Sequence, residues 1–309
     1  MRELREKIGS QIADVVIGQE EAIDGLVIAL VSGGHVLLQG VPGVAKTLLA
    51  EVFARCLGVD FRRVQFTPDM LPSDVTGTMT LSGGELVFRP GPVFTNVLLA
   101  DEINRTPPRT QAALLEAMQE RQVTIAGESR RLQDPFMVVA TQNPIEYEGT
   151  YPLPEAQLDR FLLSVELGYP SETQEQAILR LGRSGVTSSG VDDIQPVIDR
   201  DALARIRHDV DATSVAEPVL AYIVAVARQT RELPSVELGA SPRSAVHLLV
   251  AAKAMARMQG RDFVTPDDIA ALAPSVLRHR LVVSAQAELE GFTATDAVNA
   301  AMGAVEVPR

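Results

Sequence analysis

Residues 39–47 of the chain read Gln39-Gly-Val-Pro-Gly-Val-Ala-Lys-Thr47. A short apolar run, residues 35–38, precedes them, and apolar residues at helical spacing follow within residues 48–57. A strand, a glycine-rich turn and a helix in this order are typical of a phosphate-binding loop, in which backbone N–H groups and the helix N-terminus point at phosphates. The pattern predicts that Lys46 contacts the β and γ phosphates of a nucleotide and that Thr47 offers its hydroxyl to Mg²⁺.

A second stretch, Val97-Leu-Leu-Ala-Asp-Glu102, predicts a buried strand that ends in two adjacent carboxylates. Packing alone does not explain such a pair, because Asp and Glu are almost never fully buried unless they are paired or bound to a metal. We therefore expect Asp101 to hold Mg²⁺, directly or through water, and Glu102 to polarise an attacking water. The alternative interpretation of the first stretch is a simple turn, and the carboxylates argue against it. The two stretches together predict a nucleoside triphosphatase.

Ala45 departs from the general pattern of this loop, because it stands where G-x-x-x-x-G-K-T has its last glycine. A Cβ at this position narrows the available backbone conformations and crowds the ligand. The loop sequence by itself does not explain why alanine replaces glycine at position 45.

Composition restricts the class of protein. With 309 residues, of which 46% are hydrophobic, the chain can form two domains with real cores. A net charge of −12 argues against a surface built mainly to bind nucleic acid or anionic lipid. The single cysteine, Cys56, is expected to be a small core residue, and because one cysteine cannot form an intrachain disulfide, a reducing cytoplasm fits. The four histidines are scattered, which predicts structural roles rather than a metal site. No apolar run approaches the length of a membrane span, and the charged residues 1–10 argue against a signal peptide.

Strands and helices alternate through residue 167, which predicts a parallel sheet covered on both faces. Two β-hairpins are expected within this region, one over residues 78–88 and one over residues 122–132. From Tyr169 onward the sequence predicts helices, the first of which begins with a capping box at Ser171 and Gln174. We therefore predict an α/β domain over residues 1–169 and a helical domain over residues 170–309. A Gly- and Ser-rich loop is expected at residues 182–190.

With these parts placed, the chain resembles the AAA+ ATPases, and most closely the MoxR family. Four segments carry the likeness, which extends over nearly the whole chain: Gly40-Val-Pro-Gly-Val-Ala-Lys-Thr47, Asp101-Glu-Ile-Asn-Arg105, Ala140-Thr-Gln-Asn-Pro144 and Leu153-Pro-Glu-Ala-Gln-Leu-Asp-Arg-Phe161. The first is similar to the family's own phosphate loop, with Ala at position 45. The resemblance implies an α/β phosphate-loop core, with a parallel five-stranded sheet between helices and β-hairpin insertions, followed by an all-α lid domain.

The resemblance also implies roles for residues outside the two opening stretches. Asn143 matches a sensor that orients the attacking water, Arg160 matches an arginine finger presented to a neighbouring subunit, and Arg243 matches a second sensor. Residues 16–19 are similar to the segment that lines the adenine pocket. The expected catalytic set is Glu102, Asn143, Arg160 and Arg243. The expected nucleotide-binding set is Ile17, Gly18, Gly40, Val41, Pro42, Gly43, Val44, Ala45, Lys46, Thr47 and Asp101, with Thr47 and Asp101 as ligands of Mg²⁺.

Each transferred role has an ordinary alternative. Asn143 can be a turn former before Pro144, and Arg243 a solvated arginine near a helix start. Arg160 can form a local ion pair with Asp159 or Glu155. The finger role can also fall to Arg105 or Arg109.

The function implied by the resemblance is that of an ATP-hydrolysing, Mg²⁺-dependent ring, a hexamer, which remodels or matures client proteins and works with a partner that carries a von Willebrand factor A domain. In such rings the two hairpins often face the central pore, which makes Arg121, Arg130 and Arg131 candidates for substrate contact or ordinary surface charges. Three other functions compete: a nucleic-acid motor related to replicative helicases, the ATPase subunit of a magnesium chelatase, and a scaffold that binds ATP without hydrolysing it. The acidic net charge weighs against the motor.

Overall fold

The computed structural model describes residues 1–143, 150–181, 191 and 193–308. Its contacts divide the chain into two compact units. The first, called here the α/β unit, comprises Leu4–Leu153 and Val165–Asp199. The second, called the helical unit, comprises Met1–Glu3, Pro154–Ser164 and Arg200–Arg309. This grouping interleaves the chain, whereas the sequence predicted a single boundary after residue 169, and that boundary stays a prediction.

The strands, in chain order, are β1 Val36–Gly40, β2 Phe61–Gln65, β3 Gly77–Ser82, β4 Glu85–Pro90, β5 Val97–Asp101, β6 Gln122–Ile125, β7 Glu128–Arg131, β8 Met137–Gln142, β9 Leu163–Leu167, β10 Val236–Leu238 and β11 Val282–Val283. The helices are α1 Arg2–Ala13, α2 Glu20–Val31, α3 Lys46–Cys56, α4 Pro72–Thr76, α5 Pro108–Glu120, α6 Glu155–Leu158, α7 Glu172–Leu181, α8 Arg200–Asp211, α9 Glu217–Gln229, α10 Pro242–Met258, α11 Pro266–Leu277, α12 Ala285–Leu289 and α13 Ala294–Gly303.

Five strands form the main sheet, in the order β2-β5-β8-β1-β9. The predicted parallel sheet is confirmed, since β5 pairs in parallel with β2 and β8, and β8 with β1. The middle strands are continuous apolar runs, and β5 is buried along its whole length, as expected for strands covered on both faces. Parallel pairing brings the carboxyl ends of β1, β5 and β8 to one edge, where the phosphate loop, the carboxylates and Asn143 follow.

Both predicted hairpins are present, as β3–β4 and β6–β7, and they touch each other. Phe88 of β4 stacks edge to face with Phe94 at 5.4 Å, and the Arg130 guanidinium of β7 lies 4.3 Å from the Phe88 ring centre. Arg121, in contrast, donates to the carbonyl oxygens of Phe136 and Gly33, so it holds the α/β unit together. These contacts give Arg121 a structural role and join Arg130 to the first hairpin.

Helices α8–α11 and α13 form the core of the helical unit, with α10 packed on α11. Helix α10 is capped by Ser241, whose hydroxyl accepts from the Ser244 N–H at 3.2 Å. Asp268 at the start of α11 is buried against Arg261, with 2.6 Å between carboxylate and guanidinium. The predicted helices of this region are confirmed, whereas α12 and the β10–β11 pair were not anticipated.

Other expectations concern individual residues. Cys56 is buried, and burial raises the pKa of its thiol to about 11, which confirms a core role. His35 is also buried, and it accepts from the Val138 N–H at 2.9 Å. The capping box at Ser171 is formed, with its N–H donating to Gln174. Within the described ranges, no helix is both long and apolar enough to cross a bilayer. The predicted loop at 182–190, like Pro144, lies outside the described residues.

Candidate nucleotide site

The phosphate loop joins β1 to α3, and its backbone explains its sequence. Ala45, which precedes the helix, has φ 63° and ψ 24°, a left-handed conformation that glycine adopts without strain. Gly43 also has a positive φ, 87°. At Gly40 the constraint is space, because a Cβ there would lie 2.5 Å from the Leu167 carbonyl oxygen. The alanine therefore occupies the conformation of the glycine that the general pattern places there.

Lys46 is the first residue of α3. Its ammonium group donates to the carbonyl oxygens of Gly40 and Val41, the second at 3.0 Å. The side chain thus lies over the loop whose N–H groups are expected to hold phosphates. A cation in this position adds a positive charge where phosphate oxygens would bind.

Asp101 ends β5, and its carboxylate is almost fully buried, with 7% of the residue exposed. Its Oδ1 accepts from the Thr141 hydroxyl at 2.6 Å. Its Oδ2 accepts from Arg63 at 2.7 Å and lies 3.4 Å from the Thr47 hydroxyl. The burial is therefore compensated by a cation and two hydroxyls, as a buried carboxylate requires.

Glu102 follows in a left-handed conformation, with φ 57° and ψ 51°. Its N–H donates to the Thr141 hydroxyl at 2.9 Å, so Thr141 ties both acidic residues to β8. The Glu102 carboxylate accepts from Gln65 and lies 3.2 Å from the Arg105 Nε. A non-glycine residue at positive φ is uncommon, and such strain clusters at functional sites.

A cavity of about 520 Å³ brings these groups together. Its lining comprises the loop, the carboxylates and the apolar residues Val15, Val16, Ile17, Pro170 and Ile178. Most of the predicted nucleotide-binding residues line it, namely Ile17, Pro42, Gly43, Val44, Ala45, Lys46, Thr47 and Asp101, as do the predicted catalytic residues Glu102 and Asn143. Gly18, Gly40 and Val41 lie beside it in the chain but are not among the lining residues. The size suits a small ligand with a polar and an apolar end.

Asn143 follows β8 and is buried, with 5% exposed. It stands at the carboxylate edge of the sheet, as expected for a residue that orients water. Arg160 and Arg243 belong instead to the helical unit.

Arg160 lies in the turn after α6. Among the described residues its guanidinium has no ion-pair partner, so the local ion pair with Asp159 or Glu155 is not formed there. Asp159 pairs with Arg280 at 3.3 Å and lies 4.0 Å from the Arg243 Nε. Arg105 lies 3.2 Å from the Glu102 carboxylate, and Arg109 is exposed at the start of α5; both stay alternative candidates for the finger.

The donor set fits a nucleotide and a hard cation. Thr47 and Asp101 present a hydroxyl and a carboxylate oxygen 3.4 Å apart beside the phosphate loop, and Mg²⁺ prefers oxygen ligands together with substrate phosphates. These two residues would hold the metal.

Sequence reasoning missed three polar residues of the site: Arg63, Gln65 and Thr141. Arg63 and Gln65 lie two positions apart on β2, so they share one face, and Gln65 is in register with Asp101. Two polar side chains on one face of a predicted strand were the available signal. Thr141 belongs to the segment Ala140-Thr-Gln-Asn-Pro144, but its hydrogen bonds to Asp101 and Glu102 form only because β8 pairs with β5.

Comparison with known proteins agrees with this geometry. Residues 35–163 match the model of the ATPase family associated with various cellular activities (AAA), and residues 228–301 match the AAA lid domain. The fold, the loop and the carboxylate pair thus define an AAA+ ATPase, an enzyme that hydrolyses ATP.

Relatives narrow the class. The chain is 46% identical to the protein YeaC of Bacillus subtilis, over 98% of this chain and 94% of that protein. It is 42% identical to the chaperone MoxR1 of Mycobacterium tuberculosis, over 97% of this chain and 81% of that protein. A crystal structure of a protein from Cytophaga hutchinsonii is 39% identical, with a TM-score of 0.90 and coverage of 99% and 96%. The chain belongs to the MoxR family of AAA+ ATPases, which confirms the resemblance read from its motifs.

Proposed function

We propose that the protein is a Mg²⁺-dependent ATPase that works as a ring, a hexamer, in which each subunit completes its neighbour's site. The observation that carries this proposal is Arg160. Its guanidinium has no ion-pair partner among the described residues, whereas the adjacent Asp159 has Arg280. Because Arg280 already neutralises Asp159, the Arg160 guanidinium can bind an anionic group from outside the chain, such as the nucleotide of a neighbouring subunit.

The residues of one subunit supply most of the chemistry. Lys46 and the loop N–H groups bind the phosphates, and Val16 and Ile17 contact the base at the apolar end of the cavity. Glu102 orients and polarises water, and Asn143 fixes that water by a hydrogen bond. Thr47 and Asp101 would hold Mg²⁺, which would neutralise charge on the phosphate oxygens when bound.

Arg160 of the adjacent subunit stabilises the charge that develops as the terminal phosphate is transferred. Such a cation typically contributes about 10³-fold or more to the rate. Arg243, exposed at the start of α10, contacts nucleotide as the second sensor. ATP turnover drives chaperone-like remodelling of a client protein, in line with the name of the mycobacterial relative. A protein with a von Willebrand factor A domain is the partner inferred from the resemblance.

Three variants test the assignment. Lys46→Ala should weaken nucleotide binding, and Glu102→Gln should bind ATP but turn it over at least about 10²-fold more slowly, because water loses its base. Arg160→Ala should bind a fluorescent ATP analogue like the wild type yet lose about 10³-fold in kcat. Arg109→Ala is the matched control for loss of an exposed arginine and should keep its turnover.

Assembly is measured by sedimentation with the Glu102→Gln variant in ATP. The turnover per subunit of the wild type should rise with protein concentration as rings form. If turnover per subunit is independent of concentration and no assembly forms with nucleotide, the ring is wrong. A large loss in Arg109→Ala with normal turnover in Arg160→Ala would move the finger to Arg109. Salt-sensitive stimulation by DNA would favour the nucleic-acid motor instead.

A further inference from the structure

Among the described residues of the helical unit, Arg280 is the most deeply buried arginine, with 4% of the residue exposed. It follows α11 in a short 3₁₀ turn. Burial lowers the pKa of its guanidinium to about 10, although the nearby Asp159 carboxylate opposes that shift. A buried cation is costly unless it is paired and hydrogen-bonded, so its partners show what the position is for.

The partners of Arg280 bracket Arg160. On one side, Nη1 lies 3.3 Å from the Asp159 carboxylate. On the other side, Nη2 donates to the carbonyl oxygen of Phe161. One rigid, planar group thus holds the side chain of the residue before Arg160 and the backbone of the residue after it.

Two imidazoles complete the surroundings of the guanidinium. The Nε of Arg280 lies 3.1 Å from the His279 Nε2, and Nη2 contacts the His247 Nδ1. Burial and the adjacent arginines lower the pKa of both histidines, so at neutral pH they are uncharged and can accept from the guanidinium. The Asp159 carboxylate is therefore the charge that compensates Arg280.

Asp159 is fixed from a third direction by α10. The Ser241 hydroxyl donates to both of its carboxylate oxygens, at 3.1 and 3.2 Å, and Ser241 is the cap residue of that helix. Arg243, in the first turn of α10, lies 4.0 Å from the same carboxylate. The turn that carries Arg160 is thus tied to the start of α10 and to Arg280 at once.

We propose that Arg280 and Asp159 are positioning residues that fix the turn at Arg160 and so aim its guanidinium at the neighbouring subunit's nucleotide. The inference rests on the proposed role of Arg160 in the ring. A displacement of about 1 Å in a catalytic group can cost about 10²-fold in rate, which is why a buried clamp on both sides of one residue matters for chemistry.

The first test uses two variants. Asp159→Asn keeps the size of the side chain but removes its charge. Arg280→Lys keeps the charge but replaces the planar guanidinium, which contacts the residues on both sides of Arg160, by an ammonium group. We expect at least a tenfold loss in kcat with nucleotide affinity within twofold of the wild type. Asp268→Asn is the matched control, because it breaks the other buried Asp–Arg pair of the helical unit, far along the chain from Arg160. It should lower the melting temperature and leave kcat unchanged. Equal losses of kcat in Asp159→Asn and Asp268→Asn would show a general stability effect and overturn the proposal.

Mixed rings provide the decisive readout. Glu102→Gln subunits keep an intact Arg160 but cannot hydrolyse ATP themselves, whereas Asp159→Asn subunits keep the phosphate loop and both carboxylates of their own site. Mixing two nearly inactive proteins should therefore restore turnover, as should mixing Glu102→Gln with Arg160→Ala. Recovery in both mixtures supports the proposal. Recovery with Arg160→Ala alone overturns the role of Asp159 and leaves the proposed function standing. Recovery in neither mixture means that Arg160 does not act across subunits, and the inference then fails with it.

Discussion

Two histidines of the helical unit, the buried His279 and the partly buried His247, make its stability depend on pH. His247 faces Arg280 and Arg243, and burial together with these cations lowers the pKa of its imidazole to about 3. His279 is shifted in the same direction by burial and by Arg280, Arg278 and His247. In the unfolded chain both titrate near their ordinary value of about 6.5. Between these limits the unfolded chain binds more protons than the folded protein, so stability falls as pH falls.

The magnitude follows from the two pKa values of His247. At pH 8 neither state is protonated appreciably. At pH 5 the unfolded imidazole is almost fully protonated and the folded one is not. This pH lies about 1.5 units below the pKa of the unfolded imidazole, which corresponds to a loss of about 2 kcal/mol in the free energy of unfolding. His279 adds a loss of the same sign. We expect that lowering the pH from 8 to 5 destabilises the wild type by at least this amount through these two side chains.

The matched variant is His247→Gln, whose side-chain oxygen can accept from Arg280 but does not take up a proton in this range. Its free energy of unfolding should fall by about 2 kcal/mol less than that of the wild type over the same pH interval. His208→Gln, a change at an exposed histidine, should behave like the wild type. Urea unfolding is followed by circular dichroism, since the chain has no tryptophan. The reasoning is refuted if His247→Gln keeps the pH dependence of the wild type, or if NMR shows His247 titrating near pH 6.5.

Two further predictions concern the nucleotide site. Ala45→Gly should leave nucleotide affinity within about twofold, because glycine accepts the left-handed backbone at this position, whereas Ala45→Val should lose binding of a fluorescent nucleotide, since a β-branched residue is strained there. Arg63→Gln removes a cation from Asp101, so the Mg²⁺ concentration that half-saturates nucleotide binding should fall severalfold. Arg62→Gln, on the same exposed strand, is the control. A higher Mg²⁺ requirement in Arg63→Gln would mean that Arg63 assists metal binding instead.

Local signals predicted much of the fold. The phosphate loop, the carboxylate strand and both hairpins could be read because each depends on residues close together in sequence, such as the apolar run before Asp101 and the glycines of the turns. The capping box at Ser171 and Gln174 also located the start of α7 correctly. What failed were short or weakly patterned elements, such as α12 and the β10–β11 pair, whose formation depends on packing.

The missed parts of the site are those that depend on distant pairing. Arg63 contacts Asp101 only because β2 and β5 are neighbours in the sheet. The order of the strands cannot be predicted from the residues of β2 alone. Arg280 lies about 120 positions after Asp159, and its burial cannot be inferred from a stretch that reads Leu277-Arg-His-Arg280. A basic run of that kind predicts a solvated surface. The structure buries Arg280 because the Asp159 carboxylate balances its charge and the carbonyl oxygen of Phe161 accepts its hydrogen bond.

The charges of the nucleotide site are balanced by protein groups, which makes binding of ATP and Mg²⁺ an exchange of partners. In the proposed mechanism, phosphate would compete with the loop carbonyl oxygens for Lys46, and the metal would compete with Arg63 for Asp101. Each exchange replaces one hydrogen bond by another, so its net contribution is modest, about 1 kcal/mol per bond. Arg63 and Gln65 sit on the same face of β2 and contact Asp101 and Glu102 respectively. Because one strand contacts both carboxylates, a shift of β2 that broke the contact between Arg63 and Asp101 would also weaken the contact between Gln65 and Glu102. The proposed binding of metal at Asp101 would thereby be linked to the freedom of the Glu102 carboxylate.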